Sequence, residues 1–158
     1  MDTLSLVGNL ASIIGVGASG WSVFAATGAR KAAREAKNAV HAQSAADEFK
    51  VLLRLAGEYN IYVRAFKVGE IAVRGRDLMS GMVHARGRWV EHMTTDHADY
   101  LDKAISKLEV NIELMKSGRI EDKHTLHNRM MKEADYIMKI IAMVEAQVAL
   151  SVDTRGAL

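Results

Sequence analysis

The chain of 158 residues contains neither cysteine nor proline. Without thiols there is no disulfide framework, no thiolate nucleophile and no cysteine-based zinc site. Without proline, no residue interrupts a helix by lacking an amide hydrogen. Aromatic residues make up only 6% of the chain, and no segment alternates apolar and polar residues as a half-buried strand does. No phosphate-binding glycine loop and no nucleophile–base arrangement is visible, so no cofactor is expected. The formal net charge of +2 is too small to imply nucleic-acid binding by itself. Apolar residues, at 49%, suffice for one modest helical core.

Charge is missing altogether from one long stretch. Between Asp2 and Arg30 there are 27 uncharged residues, Thr3 to Ala29. A bilayer core of about 30 Å is spanned by roughly 20 apolar residues in a helix. Arg30, Lys31, Arg34 and Lys37 follow, against the single acid Glu35. Cations flanking one end place that end in the cytoplasm. The stretch reads as one transmembrane helix, with the N-terminus outside and the rest of the chain cytoplasmic. A cleaved signal peptide would begin basic and have a shorter apolar core. A buried helix of a soluble protein rarely runs so far without a charge.

The composition of the span suggests what it packs against. Gly8, Ala11, Ser12, Gly15, Ala18, Ser19, Ser22, Ala25 and Ala26 recur at spacings of one, three or four and share one helix face. Leu6, Leu10, Ile13, Ile14, Trp21 and Phe24 gather on the other. Small residues let helix backbones approach closely, which drives association in lipid. Asn9, with Ser5, Ser12 and Ser19, puts polar groups at membrane depth, where they face another helix or a water-filled path. Homo-oligomerisation follows, as a dimeric anchor or as a ring of helices with a polar interior.

Ala29, Ala32, Ala33, Ala36 and Val40 prolong the small face, and alanine is the best helix former. One helix from Leu4 to about Glu58 would be roughly 80 Å long. Phe49, Leu52, Ala56, Tyr59, Val63, Phe66 and Val73 then adopt bundle spacing, with Gly57 a possible bend. Gly69, Gly75, Gly81 and Gly87 stand six residues apart and imply close backbone packing or a weak point, in a helix ending near Gly87. Thr94, Thr95 and Asp96 form a helix start. Leu101, Ile105, Leu108, Ile112 and Met115 make the next stripe, stopped by Gly118. A last helix, about Thr125 to Leu150, carries Met130, Ala134, Ile137, Ile141, Val144 and Val148. The expected fold is all-α. Residues 1–29 form a span, 30–58 a basic juxtamembrane extension, 59–150 a cytoplasmic helical bundle and 151–158 a frayed tail.

Three constellations could carry chemistry. From Lys50 to Arg88 there are eight Lys/Arg against three Asp/Glu. Arg64, Lys67, Arg74, Arg76, Arg86 and Arg88, with His84, are candidates for binding anions or nucleic acid, since guanidinium forks suit phosphate oxygens. The competing reading is a solvated basic surface facing acids or anionic lipid. Arg119 and His124, with four residues between them, form an Arg-x4-His string, and Arg86 and His92 a looser one. His92, Asp96, His97 and Asp99, or Glu121, Asp122, His124 and His127, bring histidines near carboxylates, but no convergent set of three or four ligands is evident and no metal is expected. Trp89 and Tyr100 read as packing residues.

The Arg-x4-His string matches the signature of HEPN-type helical ribonucleases. That likeness implies an arginine holding the scissile phosphate and a histidine activating the 2′-hydroxyl. The family places a polar residue directly after the arginine, whereas Ile120 and Gly87 stand there in this chain, which weighs against catalysis. The uncharged LVGNLASIIGVGASG, the Ala/Lys/Arg-rich extension, the segment Ala85–Trp89 and the Tyr100–Leu101 pair together resemble small bacterial membrane proteins of antiphage defence. Among these are the membrane accessory proteins of type VI-B CRISPR systems. The resemblance implies a pore or membrane-disrupting effector with a degenerate HEPN-like domain, acting downstream of a CRISPR effector. The alternative is a membrane-anchored helical domain that senses or cleaves RNA or a nucleotide.

Overall fold

The computed structural model describes the backbone of residues 3–118 and 122–156 and the side chains of residues 28–118 and 122–152. Within these limits the protein is all-α, with no strand among the described residues. Four helices follow one another: α1 Thr3–Arg64, α2 Val68–Trp89, α3 Thr95–Ser117 and α4 Lys123–Gly156, with a 3-10 turn at Val90–His92 between α2 and α3. The chain divides into two compact units, Met1–Val40 and His41–Leu158.

The first unit is the front part of α1. The side chains of the expected span, including Ser5, Gly8, Asn9, Ala11, Ser12, Gly15, Ala18, Ser19 and Ser22, lie outside the described residues. Among the described residues no helix is long and apolar enough to cross a membrane. From Gly28 to Lys37 every side chain is exposed. Alanine propensity sustains the helix here without tertiary burial, helped by the i,i+4 pair Lys31–Glu35 at 4.0 Å.

The second unit is a four-helix bundle whose first helix is the end of α1. The division expected at residue 58 falls inside this helix. Gly57 does not end the helix, and α1 runs unbroken to Arg64. The reason is burial: Ala45, Phe49, Leu52, Ala56, Tyr59 and Val63 are all core residues. They alternate at spacings of four and three, and so form one seam. Ile71, Leu78, Met82, Ala85 and Trp89 continue that rhythm in α2, with Gly75 in its register, as do Met130, Ala134, Ile137, Ile141, Val144 and Val148 in α4. Such alternation is the packing rhythm of near-parallel helices. Phe66 and Val73 fall off the seam: Phe66 is half-buried and Val73 is 43% exposed.

Each junction has a local cause. Phe66, at φ 49°, takes the left-handed conformation that turns the chain from α1 into α2. Thr94 caps α3, its hydroxyl accepting from the His97 amide at 3.3 Å. Gly118, at φ 65°, ends α3 in the conformation that favours glycine. Asp122 caps α4, accepting from the amides of His124 at 2.9 Å and Thr125 at 3.2 Å. These bonds, led by that from the Thr125 hydroxyl, hold its carboxyl below the usual carboxylate range. The helix α4 extends past the expected end at Leu150 to Gly156, because Val152 is still buried, at 3% exposure.

The α2 glycines divide into two kinds. A Cβ at Gly75 would lie 2.9 Å from Ile112 Cγ1, and one at Gly81 2.6 Å from Leu52 Cδ2. At Gly69 and Gly87 it would meet nothing within 4 Å. Two glycines therefore permit close helix approach, and α2 has no break.

Candidate functional surfaces

The arginines that crowd the sequence from Arg64 to Arg88 are dispersed over several helix junctions. Arg64 reaches across to α4 and donates to both carboxylate oxygens of Asp135, at 2.9 and 3.2 Å. Its Nε donates to Asn60 at 3.1 Å. Arg64 uses one nitrogen for both, whereas Arg86 makes a two-pronged contact with Asp102 of α3, Nε and Nη2 donating to the two oxygens at 3.1 and 3.2 Å. Arg74 lies 3.8 Å from Glu58 and 3.6 Å from Asp77. Arg88 donates to Glu48 at 3.3 Å and to the Ser44 hydroxyl at 2.9 Å, with its guanidinium over the Trp89 ring. Arg76 donates back to the Ala72 carbonyl of its own helix. Lys67 sits over the Tyr62 ring at 5.9 Å.

The geometry thus ties Arg64, Arg74, Arg86 and Arg88 to carboxylates that hold α1 to α4, α1 to α2 and α2 to α3. A phosphate ligand would have to displace these acids. For the two-pronged Arg86–Asp102 pair that exchange gives up geometry already well matched to guanidinium.

Two arrangements were not anticipated from sequence. Glu48 forms a junction at the bundle end nearest His41. Its Oε2 accepts from the Trp89 indole at 2.9 Å and from Arg88. Its Oε1 is buried without a hydrogen bond, 3.9 Å from His84 Nε2. Beside it runs an open groove of about 600 Å³ between α1 and α2, floored by Val51, Leu52 and Leu55. The second arrangement runs from the interior to the surface. Asn111 is fully buried, donates to Glu133 at 2.9 Å and accepts from Arg129 at 3.4 Å. Lys107 completes the set, donating to Glu133 at 3.4 Å. Nearby, burial pushes the Tyr59 phenol up to about 12, opposed by the Asn111 amide and reinforced by the Glu133 carboxylate. The Tyr59 hydroxyl faces the Asn111 amide without full hydrogen-bond geometry. A signal for this network was present: Asn111 occupies an apolar-stripe position between Leu108 and Met115.

Of the ribonuclease-like pair, Arg119 lies outside the described residues. His124 stands exposed in the first turn of α4, its Nε2 3.0 Å from the Asn128 side-chain nitrogen. His97 is engaged with Thr94, at 2.6 Å. Among the described residues no three His, Asp or Glu side chains converge to hold a metal ion.

No protein-family model, no curated protein and no solved structure matches this chain.

Proposed function

We propose that the chain is an oligomeric single-span protein of the bacterial inner membrane, working as a pore or membrane-disrupting effector in antiphage, CRISPR-associated defence. The observation that carries the membrane and oligomer parts is the continuity of α1. One helix of 62 residues begins in the uncharged run, passes through an exposed alanine-rich segment and ends as the first helix of the bundle. A helix that is exposed all round and yet rich in alanine gains little from its own fold and much from neighbouring copies. In this reading the face of Gly8, Ala11, Ser12, Gly15, Ala18, Ser19 and Ser22 packs the assembly. Ser5, Asn9, Ser12 and Ser19 line or approach its path, and the bundle gates or widens it. The defence role rests on the resemblance of the span, the extension and the Arg-x4-His string. The anchored RNA- or nucleotide-binding reading has less support, because its principal arginines already hold carboxylates.

The test is the molar mass of the full-length protein in mild detergent by light scattering. Five or more subunits support the pore, and conductance in planar bilayers follows. A monomer or dimer leaves too few helices to enclose a path and refutes it. Gly15→Leu is expected to abolish both assembly and toxicity.

A further inference from the structure

The exposed segment of α1 has two distinct faces. Arg30, Arg34 and Lys37 stand at i, i+4 and i+7, within about 60° of one another around the helix. All three are exposed, and none has a hydrogen bond or ion pair with another described residue. Lys31 points elsewhere and pairs with Glu35, the sole acid between residues 28 and 46. Ala29, Ala32, Ala33 and Ala36 occupy a separate sector, centred about 120° from the basic one. A neighbouring helix on the alanine face would leave the basic face free.

We propose that Arg30, Arg34 and Lys37 bind the phosphate groups of anionic phospholipids, at the cytoplasmic edge of the bilayer. The inference rests on the reading of Thr3–Ala29 as a span. Its geometry then follows from helical rise. Taking Ala29 as the edge of the hydrocarbon, Arg30, Arg34 and Lys37 lie about 1.5, 7.5 and 12 Å beyond it. A headgroup layer is roughly 5–7 Å deep on each side. Arg30 falls within that layer and Arg34 at its outer limit. Lys37 falls within a Debye length of it, about 8 Å at physiological salt. The stripe is short, single-sided and continuous with the uncharged run. Those properties suit a lipid surface better than a nucleic-acid strand, which calls for cations tracking along a groove with stacking aromatics. The segment from Gly28 to Lys37 has no aromatic residue.

The test uses the full-length protein in nanodiscs of equal phosphatidylglycerol and phosphatidylcholine, with retained lipids counted by native mass spectrometry. One cation facing one headgroup is worth roughly a fivefold preference. The wild-type protein is expected to retain phosphatidylglycerol about fivefold over phosphatidylcholine, and R30Q/R34Q/K37Q to show no preference. K50Q/K132Q/K139Q removes the same number of charges from the bundle and is expected to keep the wild-type preference. Equal retention by wild type and R30Q/R34Q/K37Q overturns the inference, as does loss of preference in the bundle variant. Loss of binding to a fluorescent single-stranded RNA by R30Q/R34Q/K37Q, with lipid preference intact, also overturns it. Extraction of the wild-type chain from vesicles by alkaline carbonate removes the span, and the lipid site with it. Failure of lipid preference in a carbonate-resistant protein refutes the lipid site alone.

Discussion

Replacing Gly75 by alanine is expected to destabilise the bundle, although alanine is the better helix former. The same change at Gly87 supplies the reference. At Gly87, which is exposed, a Cβ meets nothing within 4 Å. Alanine there gains helix propensity and reduces the freedom of the unfolded chain, together about 0.5–1 kcal/mol. At Gly75 the same gain is opposed by contact. The new methyl would lie 2.9 Å from Ile112 Cγ1, 3.3 Å from Ile112 Cδ1 and 3.4 Å from Tyr59 Cε2. Cγ1 is close to the Ile112 backbone and cannot swing clear by a terminal rotation. The Tyr59 ring is rigid and fully buried. Forcing one methyl into such a core costs about 1–3 kcal/mol. The net at Gly75 is therefore a loss of up to about 2 kcal/mol, and the two variants should differ by about 1–3 kcal/mol. Guanidinium titrations of both full-length proteins in one detergent, followed by far-ultraviolet circular dichroism, measure that difference. A Gly75→Ala protein as stable as Gly87→Ala would refute the close approach of α2 to α3.

Four further outcomes are expected. Glu48→Ala strips the Trp89 indole of its acceptor and Arg88 of its partner. It should cost about 1.5–3 kcal/mol in the same titration, and a change below a few tenths would show the junction to be passive. Tyr59→Phe removes a buried hydroxyl that faces Asn111 without full hydrogen-bond geometry, so stability at pH 7 should change little. The raised phenol stabilises the fold below the unfolded value of about 10 and loses that contribution as pH rises toward about 12. The wild type should therefore weaken over that interval more than Tyr59→Phe, and parallel curves would refute the burial. Asn111→Ala leaves Arg129 and Glu133 without their buried amide and should cost about 1–3 kcal/mol. A double-mutant cycle with Glu133→Ala should show coupling, and strict additivity would contradict the contact. Asp122, with its lowered carboxyl, contributes stability above the ordinary carboxylate range and loses it as pH falls through the lowered value. Asp122→Asn should flatten that acid limb of the melting temperature, and an unchanged limb would remove Asp122 as its source.

The helices were legible because burial and periodicity coincide. Phe49, Leu52, Ala56, Tyr59 and Val63, and Met130 through Val148, were marked as stripes by spacing alone, and each of them is core. The caps were equally local: Thr94 and Gly118 act through their own side chain or lack of one. The arginine cluster was misleading for a physical reason. Proximity in sequence on a helix spreads side chains around its axis, and the acids that meet Arg64, Arg86 and Arg88 lie 71, 16 and 40 residues away. Only the packing of α1, α2, α3 and α4 brings those partners together.

The sequence by itself determined an all-helical chain, the stripes of α1, α3 and α4, the stop at Gly118 and the basic segment, because those depend on residues within a few turns of one another. The tertiary structure decided which glycines are crowded, where α1 gives way to α2, which acids receive the arginines and how Asn111 is satisfied. Each of these depends on distances between helices far apart in sequence, which are set by the shapes of the side chains between them.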